Sequence, residues 1–219
     1  MIVPTILTTD LALVQKRLLL LANQVSRVQI DIIDGRFTTN QTVLLSDLLE
    51  LIKRKNILFD FHLMVDNPVV FLNQDWPKTT SQITGQIELM ASQLEFVKTV
   101  KTKGFLAGLA LDLETEITSL EAMALGLADQ VLLLGVKAGF SGQNFNPLVL
   151  SKIKELLAWR EQEKWSFKVG LDGGINETNL VLCAKMGVDE FFVGSAIWKN
   201  KNPLEAIKGL EKARQKQRK

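Results

Sequence analysis

Short apolar runs recur along the chain, at about residues 2–6, 27–31, 58–63, 82–88, 106–111, 130–134, 166–170 and 190–193. Runs of this length, rich in Val, Ile and Leu, read as strands buried on both faces. Between them apolar residues return every three or four positions, which predicts helices over 11–22, 42–55, 89–103, 147–162, 177–186 and 203–216. Asp10 and Asn176 stand where N-caps belong, and Pro147 and Pro203 suit a first helical turn. The strand-plus-helix unit repeats roughly every 24 to 36 residues, as parallel strands linked by covering helices do. Eight such units predict an α/β fold of the closed (β/α)8, or TIM, barrel type. A doubly wound open sheet would want a glycine-rich turn after the first strand. The turn here, TTDLA, has no glycine.

Composition agrees with this picture. A chain of 219 residues suffices for one barrel, and no stretch reads as a linker, so a single domain over 1–219 is expected. Apolar residues make up 47% and charged residues 23%, with a net charge of +2, which gives no electrostatic ground for nucleic-acid binding. The basic C-terminus EKARQKQRK reads as a solvated helix end and tail. MIVPTILTTD lacks a charged leader followed by an apolar stretch, and no run reaches the ~20 apolar residues of a membrane span. A cytoplasmic protein with no membrane partner is therefore expected. The single cysteine, Cys183, lies at helical spacing in NLVLCAKMG and reads as a buried core residue.

Candidate chemistry lies at the strand ends. VQIDIIDG places Asp31, and VGLDGGI places Asp172, after an apolar run and before glycine. In barrels of this type the C-terminal strand ends carry the reacting groups, so two aspartates from separate staves can face one substrate. Asp34 reads instead as the cap of the Gly35 turn. Three glycine loops follow strands six to eight: GFSGQ at 139–143, DGGI at 172–175 and GSAI at 194–197. Glycine lets backbone N–H groups approach an anion closely. Loops in this part of such barrels frequently hold a phosphate, so Gly139, Ser141, Gly142, Gln143, Gly173, Gly174, Gly194 and Ser195 form the candidate phosphate site. Backbone groups suffice for that, with no Arg or Lys needed.

VPTILTTD, VQIDIIDGRFTTNQT, FHLMVDNP, GVKAGFSGQNFNP, LDGGIN and VGSAIW come in the order and at about the spacing of the ribulose-phosphate 3-epimerases, allulose-6-phosphate 3-epimerases included. Over residues 2–198 the chain resembles a divergent member of that family. The resemblance implies an isomerase that inverts C3 of a phosphorylated ketose. One aspartate removes the C3 proton and the other returns one to the opposite face, so Asp31 and Asp172 are the implied acid/base pair. It implies a divalent cofactor (Mn, Fe, Zn, Co or Mg) on Asp31, His62 and Asp172, with Gln29 as a candidate fourth ligand. It also places Thr5 and Met64 against the substrate, and it implies a homo-oligomer. Physical chemistry supports the scheme, because the enediolate left by deprotonation beside a carbonyl needs a cation or fixed donors.

The chain departs from the family's pattern at several places. Gln29 stands where the family has a ligand histidine, Gln86 replaces the histidine of a His-x-Glu pair with Glu88, and LDLETE brings Asp112 to the mouth. Lys137-Ala138 replaces a residue followed by proline. Three oxygen donors and one nitrogen favour Mn²⁺, Fe²⁺ or Mg²⁺ over Zn²⁺. These departures motivate a second reading, a sugar-phosphate-binding paralogue with lost or altered activity. A third, a decarboxylase or aldolase on the same barrel, wants an Asp-x-Lys-x-x-Asp array, and DIIDG carries no lysine.

Overall fold

The computed structural model describes residues 1–52 and 56–216. Eight parallel strands close a barrel in sequence order, with the last pairing to the first. They are β1 (Ile2–Ile6), β2 (Arg27–Ile33), β3 (Leu58–Met64), β4 (Thr80–Gln86), β5 (Leu106–Leu111), β6 (Gln130–Leu134), β7 (Lys168–Asp172) and β8 (Glu190–Val193). The covering helices are α1 (Leu11–Leu21), α2 (Leu45–Ile52), α3 (Pro68–Phe71), α4 (Gln93–Thr102), α5 (Ala122–Leu125), α6 (Val149–Gln162), α7 (Glu177–Met186), α8 (Ser195–Trp198) and α9 (Pro203–Gln215). This is the predicted (β/α)8 architecture.

Local hydrogen bonds explain several differences in the helix boundaries. α4 starts at Gln93 rather than 89 because the Ser92 side chain accepts from Glu95 N–H and caps it there. α2 starts at Leu45 rather than 42, since Thr42 N–H bonds the Ile33 carbonyl and Val43 N–H bonds that of Thr8. The predicted residues 53–55 of that helix lie outside the described residues, as do 217–219 of the basic tail. Pro147 belongs to the turn before α6, where Leu148 N–H bonds the Asn146 side chain. Asp10 caps α1 and Asn176 forms a capping box with Asn179, as predicted. The short helices α3, α5 and α8 leave no periodicity long enough to read. β7 runs two residues later than predicted, making Asp172 its last residue. β4 ends at Gln86, leaving Ile87 and Glu88 in the following turn.

Successive strand residues face opposite sides. In β2 Val28, Ile30 and Ile32 join the apolar layer between barrel and helices, while Arg27, Gln29, Asp31 and Ile33 face the barrel interior. Cys183 is fully buried on α7, and burial pushes its thiol up to about 11, as a core residue requires. The N-terminal strand ends are closed by a buried charge network. Arg27 Nε donates to Asp60 Oδ2 at 2.9 Å and Nη1 to Glu190 Oε1 at 3.1 Å. Lys168 Nζ reaches Glu190 Oε1 at 3.0 Å, and Gln130 Nε2 reaches Glu190 Oε2 at 2.7 Å. Burial disfavours the Glu190 carboxylate, but Arg27 and Lys168 outweigh it and hold the group below the ordinary glutamate range. The opposite end of the barrel is left open for chemistry.

Candidate active site

Parallel register sets Asp31 of β2 beside His62 of β3. Asp172 ends β7, across the barrel interior, and one ligand atom from each of the three residues lies within 4.8 Å of the others. Gln29 sits beneath them, and its Nε2 donates to Asp31 Oδ1 and to Asp172 Oδ2, each at 2.8 Å. One neutral amide thus joins two carboxylates that would otherwise repel. Its nitrogen faces the acids, so an amide-oxygen ligand at this position requires the amide to turn over. Burial and the neighbouring Asp31 raise the Asp172 carboxyl well above the ordinary carboxylate range.

His62 is buried, and the partner of its far nitrogen decides its tautomer. Gln86 Nε2 donates to Glu88 Oε2 at 3.1 Å, which leaves Gln86 Oε1 facing His62 Nε2 at 3.2 Å. An amide oxygen can only accept, so Nε2 carries the proton. Nδ1 then presents its lone pair toward the carboxylates. It lies 3.4 Å from Asp31 Oδ1 and has no hydrogen-bond partner among the described residues. Burial disfavours the imidazolium, but the Asp31 carboxylate beside it, with Asp172, raises the His62 value. A buried nitrogen without a partner, converging with two carboxylate oxygens, is the chemistry of a divalent-cation site. The residues present fit such an ion.

The Gln86 contact continues outward and accounts for Asp112. Glu88 Oε1 accepts from Asp112 N–H at 2.7 Å, and Asp112 Oδ1 accepts from Ala138 N–H at 2.8 Å. Lys152 Nζ donates to the Asp112 carbonyl at 2.6 Å. A polar chain therefore links the His62 ring to the loop after β6, with Asp112 as the brace of that loop. Gln86→Leu, which removes the acceptor that orients His62, is expected to weaken Mn²⁺ binding by about 10- to 100-fold. Titration calorimetry on chelator-stripped protein measures this, and unchanged affinity would show that the ring needs no such partner.

Above the three residues opens a cavity of about 220 Å³. Thr5 and Met64 line it, with Met64 also packed among Val3, Ile33, Leu134 and Phe192. Gly139, Ser141 and Gly142 come from the loop after β6, Gly173 and Gly174 from that after β7, and Gly194 and Ser195 from the end of β8. Gly174 has φ +67°, and a Cβ there would collide with the Phe145 backbone, so no other residue fits. Gln143 also lines the cavity, but its amide donates to the carbonyls of Lys137 at 2.7 Å and Phe140 at 2.8 Å, bracing its own loop. Asp34 caps its turn, accepting from Arg36 and Phe37 N–H, and lies outside the cavity.

The sequence reading missed one residue that braces the loops around the cavity and three that line it. Asn40 Nδ2 donates to the Gly139 carbonyl at 2.6 Å, tying the loop after β2 to that after β6. Arg17 of α1, Trp198 of α8 and Lys199 also line the cavity. No local pattern marks them, because the surfaces they share are assembled only when the barrel closes.

Known proteins resemble this chain in sequence and in fold. The chain is 29% identical over 212 residues to the ribulose-phosphate 3-epimerase of Mycobacterium leprae, spanning 97% of this chain and 94% of that protein. It is 32% identical over 168 residues to that of Aquifex aeolicus, spanning 77% and 75%. Among solved structures, KGPDC from Streptococcus mutans superposes with a TM-score of 0.71 at 15% identity, covering 98% of this chain and 97% of that one, a likeness of fold. The sequence profile of the ribulose-phosphate 3 epimerase family matches residues 1–198. With a closed eight-stranded barrel and an Asp31–His62–Asp172 cluster at its mouth, this chain belongs to the ribulose-phosphate 3-epimerase family.

Proposed function

We propose that this protein is a metal-dependent 3-epimerase of a ketose phosphate, converting ribulose 5-phosphate to xylulose 5-phosphate or acting on the hexulose 6-phosphate equivalent. The observation that carries the reading is the pairing of Asp31 and Asp172, from well-separated staves, on either side of one cavity floor. Inverting a carbon needs a base on one face and an acid on the other. One carboxylate accepts the C3 proton, and the other delivers a proton to the opposite face. Gln29 keeps both acids in place by donating to each. Asp31, His62 and Asp172 would hold a divalent cation, which when bound would supply charge stabilisation for the enediolate. With the Gln29 nitrogen turned to the acids, the protein's own donors are two carboxylates and one imidazole, a set favouring Mn²⁺, Fe²⁺ or Mg²⁺. Met64 presents an apolar wall, and the glycine loops offer backbone N–H groups to the phosphate.

Incubation with ribulose 5-phosphate or allulose 6-phosphate in deuterated water containing Mn²⁺ tests this by proton NMR. Solvent deuterium at C3 together with appearance of the epimer is the expected result. The Gln29 amide, standing where relatives of this pattern carry a histidine, favours one other reading: a sugar-phosphate-binding protein without turnover. Absence of exchange with either sugar and with every divalent metal tried would establish that second reading instead.

A further inference from the structure

Backbone groups alone can hold a phosphate, yet this cavity also carries side-chain cations. Arg17 reaches from α1 to the cavity, its guanidinium carbon 4.6 Å from the centre of the Trp198 ring. Trp198 is itself fixed, because its Nε1 donates to the Thr5 carbonyl at 2.6 Å. The guanidinium thus lies over an anchored indole, a contact that restricts it before an anion arrives. Lys199 follows directly, and its Nζ stands 3.2 Å from the point where a Cβ on Gly142 would lie, against the loop after β6.

The charges along the cavity are segregated. Among the described residues the only carboxylates lining it are Asp31 and Asp172, at the floor. Lys199 lies against the loop after β6, which also brings Lys137 to the cavity, and Arg17 enters the wall over Trp198. Arg17 is half-buried, and burial lowers its affinity for its proton with no acid nearby to offset this. A partly desolvated cation without a counter-charge is unfavourable until an anion pairs with it.

We infer that Arg17 and Lys199 form a cationic clamp on the phosphate dianion of the substrate, giving the protein its selectivity for phosphorylated over free ketoses. Arg17 offers a planar fork suited to two phosphate oxygens, and Lys199 a point charge beside the loop after β6. The inference rests on the ketose-phosphate reading of the cavity, and it deepens that reading by assigning residues to phosphate selectivity.

The test separates the two. Inorganic phosphate is titrated calorimetrically, at fixed ionic strength, into wild-type protein and the variants Arg17→Gln, Lys199→Gln, their double and Arg17→Lys. Each single neutral variant is expected to weaken phosphate binding about tenfold and the double more, with Arg17→Lys recovering part of the loss. With ribulose 5-phosphate as substrate, KM is expected to rise more than kcat falls. Lys199 is exposed, so its variant folds whatever Arg17 contributes to packing. Equal phosphate affinity in wild type and the double variant would overturn the clamp, as would failure of the wild type to bind phosphate. Loss of phosphate binding in the variants, in a wild type that turns over no ketose phosphate, supports the clamp and removes the epimerase reading.

Discussion

Asp172→Asn is expected to lower the rate of 3-epimerisation by about 10²- to 10⁴-fold, the range associated with loss of a positioned proton-transfer group. An asparagine fills the same space at the end of β7, but its amide cannot take or give the C3 proton. It also places a neutral group where a charged ligand is needed beside His62, so Mn²⁺ affinity is expected to fall with the rate. Asp31→Asn should behave similarly, since epimerisation needs both faces served. The two variants differ in what they leave behind. Gln29 donates one amide nitrogen to both acids, so either change leaves one of its two hydrogen bonds with a carboxylate. Inorganic phosphate binding, which depends on the other end of the cavity, should survive both changes. Rate measurement with excess Mn²⁺, alongside phosphate titration, checks this. A variant at either position that retains the wild-type rate within about tenfold would remove that aspartate from the chemistry.

Arg27→Ala is expected to destabilise the fold by about 3–5 kcal/mol, because it strands the buried carboxylates of Asp60 and Glu190. For a chain of this size, at ~2–4 °C per kcal/mol, the melting temperature should drop by roughly 6–20 °C. Lys168 pairs with Glu190 from a more exposed position and acts on Asp60 only through space, without a hydrogen bond. Asp60 keeps no other cation in hydrogen-bond contact among the described residues, so most of the loss is assigned to it. Arg27→Lys retains the charge but not the fork that spans both acids, and an intermediate loss is expected. The network closes the end of the barrel remote from the cavity, so kcat measured well below the transition should stay near wild type. Thermal unfolding of the three proteins decides the matter. A change within ~1 kcal/mol for Arg27→Ala would mean that water reaches these acids once the guanidinium is gone.

The repeating unit was legible because it is local. A run of Val, Ile and Leu, then a stretch of 3.6 periodicity, is written into neighbouring residues, and β1, β5, β6 and β8 fall on the predicted positions. Glycine loops and strand-end aspartates were legible for the same reason. Boundaries set by specific hydrogen bonds were less so: the Ser92 side chain starts α4, and the Thr42 and Val43 N–H groups delay α2 by bonding remote carbonyls that hydropathy does not register. One signal lay unused in the chain. RVQID and FDFH alternate polar and apolar residues up to Asp31 and His62, which marks Arg27, Gln29, Asp31, Asp60 and His62 as facing one side of their strands. That alternation would have shown that β2 and β3 turn polar side chains into the barrel from the closed end to Asp31 and His62.

What the sequence determined by itself is the barrel, the three glycine loops and the position of Asp31, His62 and Asp172 at the ends of their strands. Tertiary structure alone decided how their atoms meet. The Gln29 amide turns its nitrogen to the acids because two carboxylates from different strands converge on it. The His62 proton is assigned by Gln86, whose own orientation is imposed by Glu88. Arg17 becomes part of the cavity wall only when α1 and α8 are brought together as β8 pairs with β1. Hydrophobic periodicity acts over a few residues and records which face is buried. Donor and acceptor directions depend on partners remote in the chain, and they exist only once the barrel has closed.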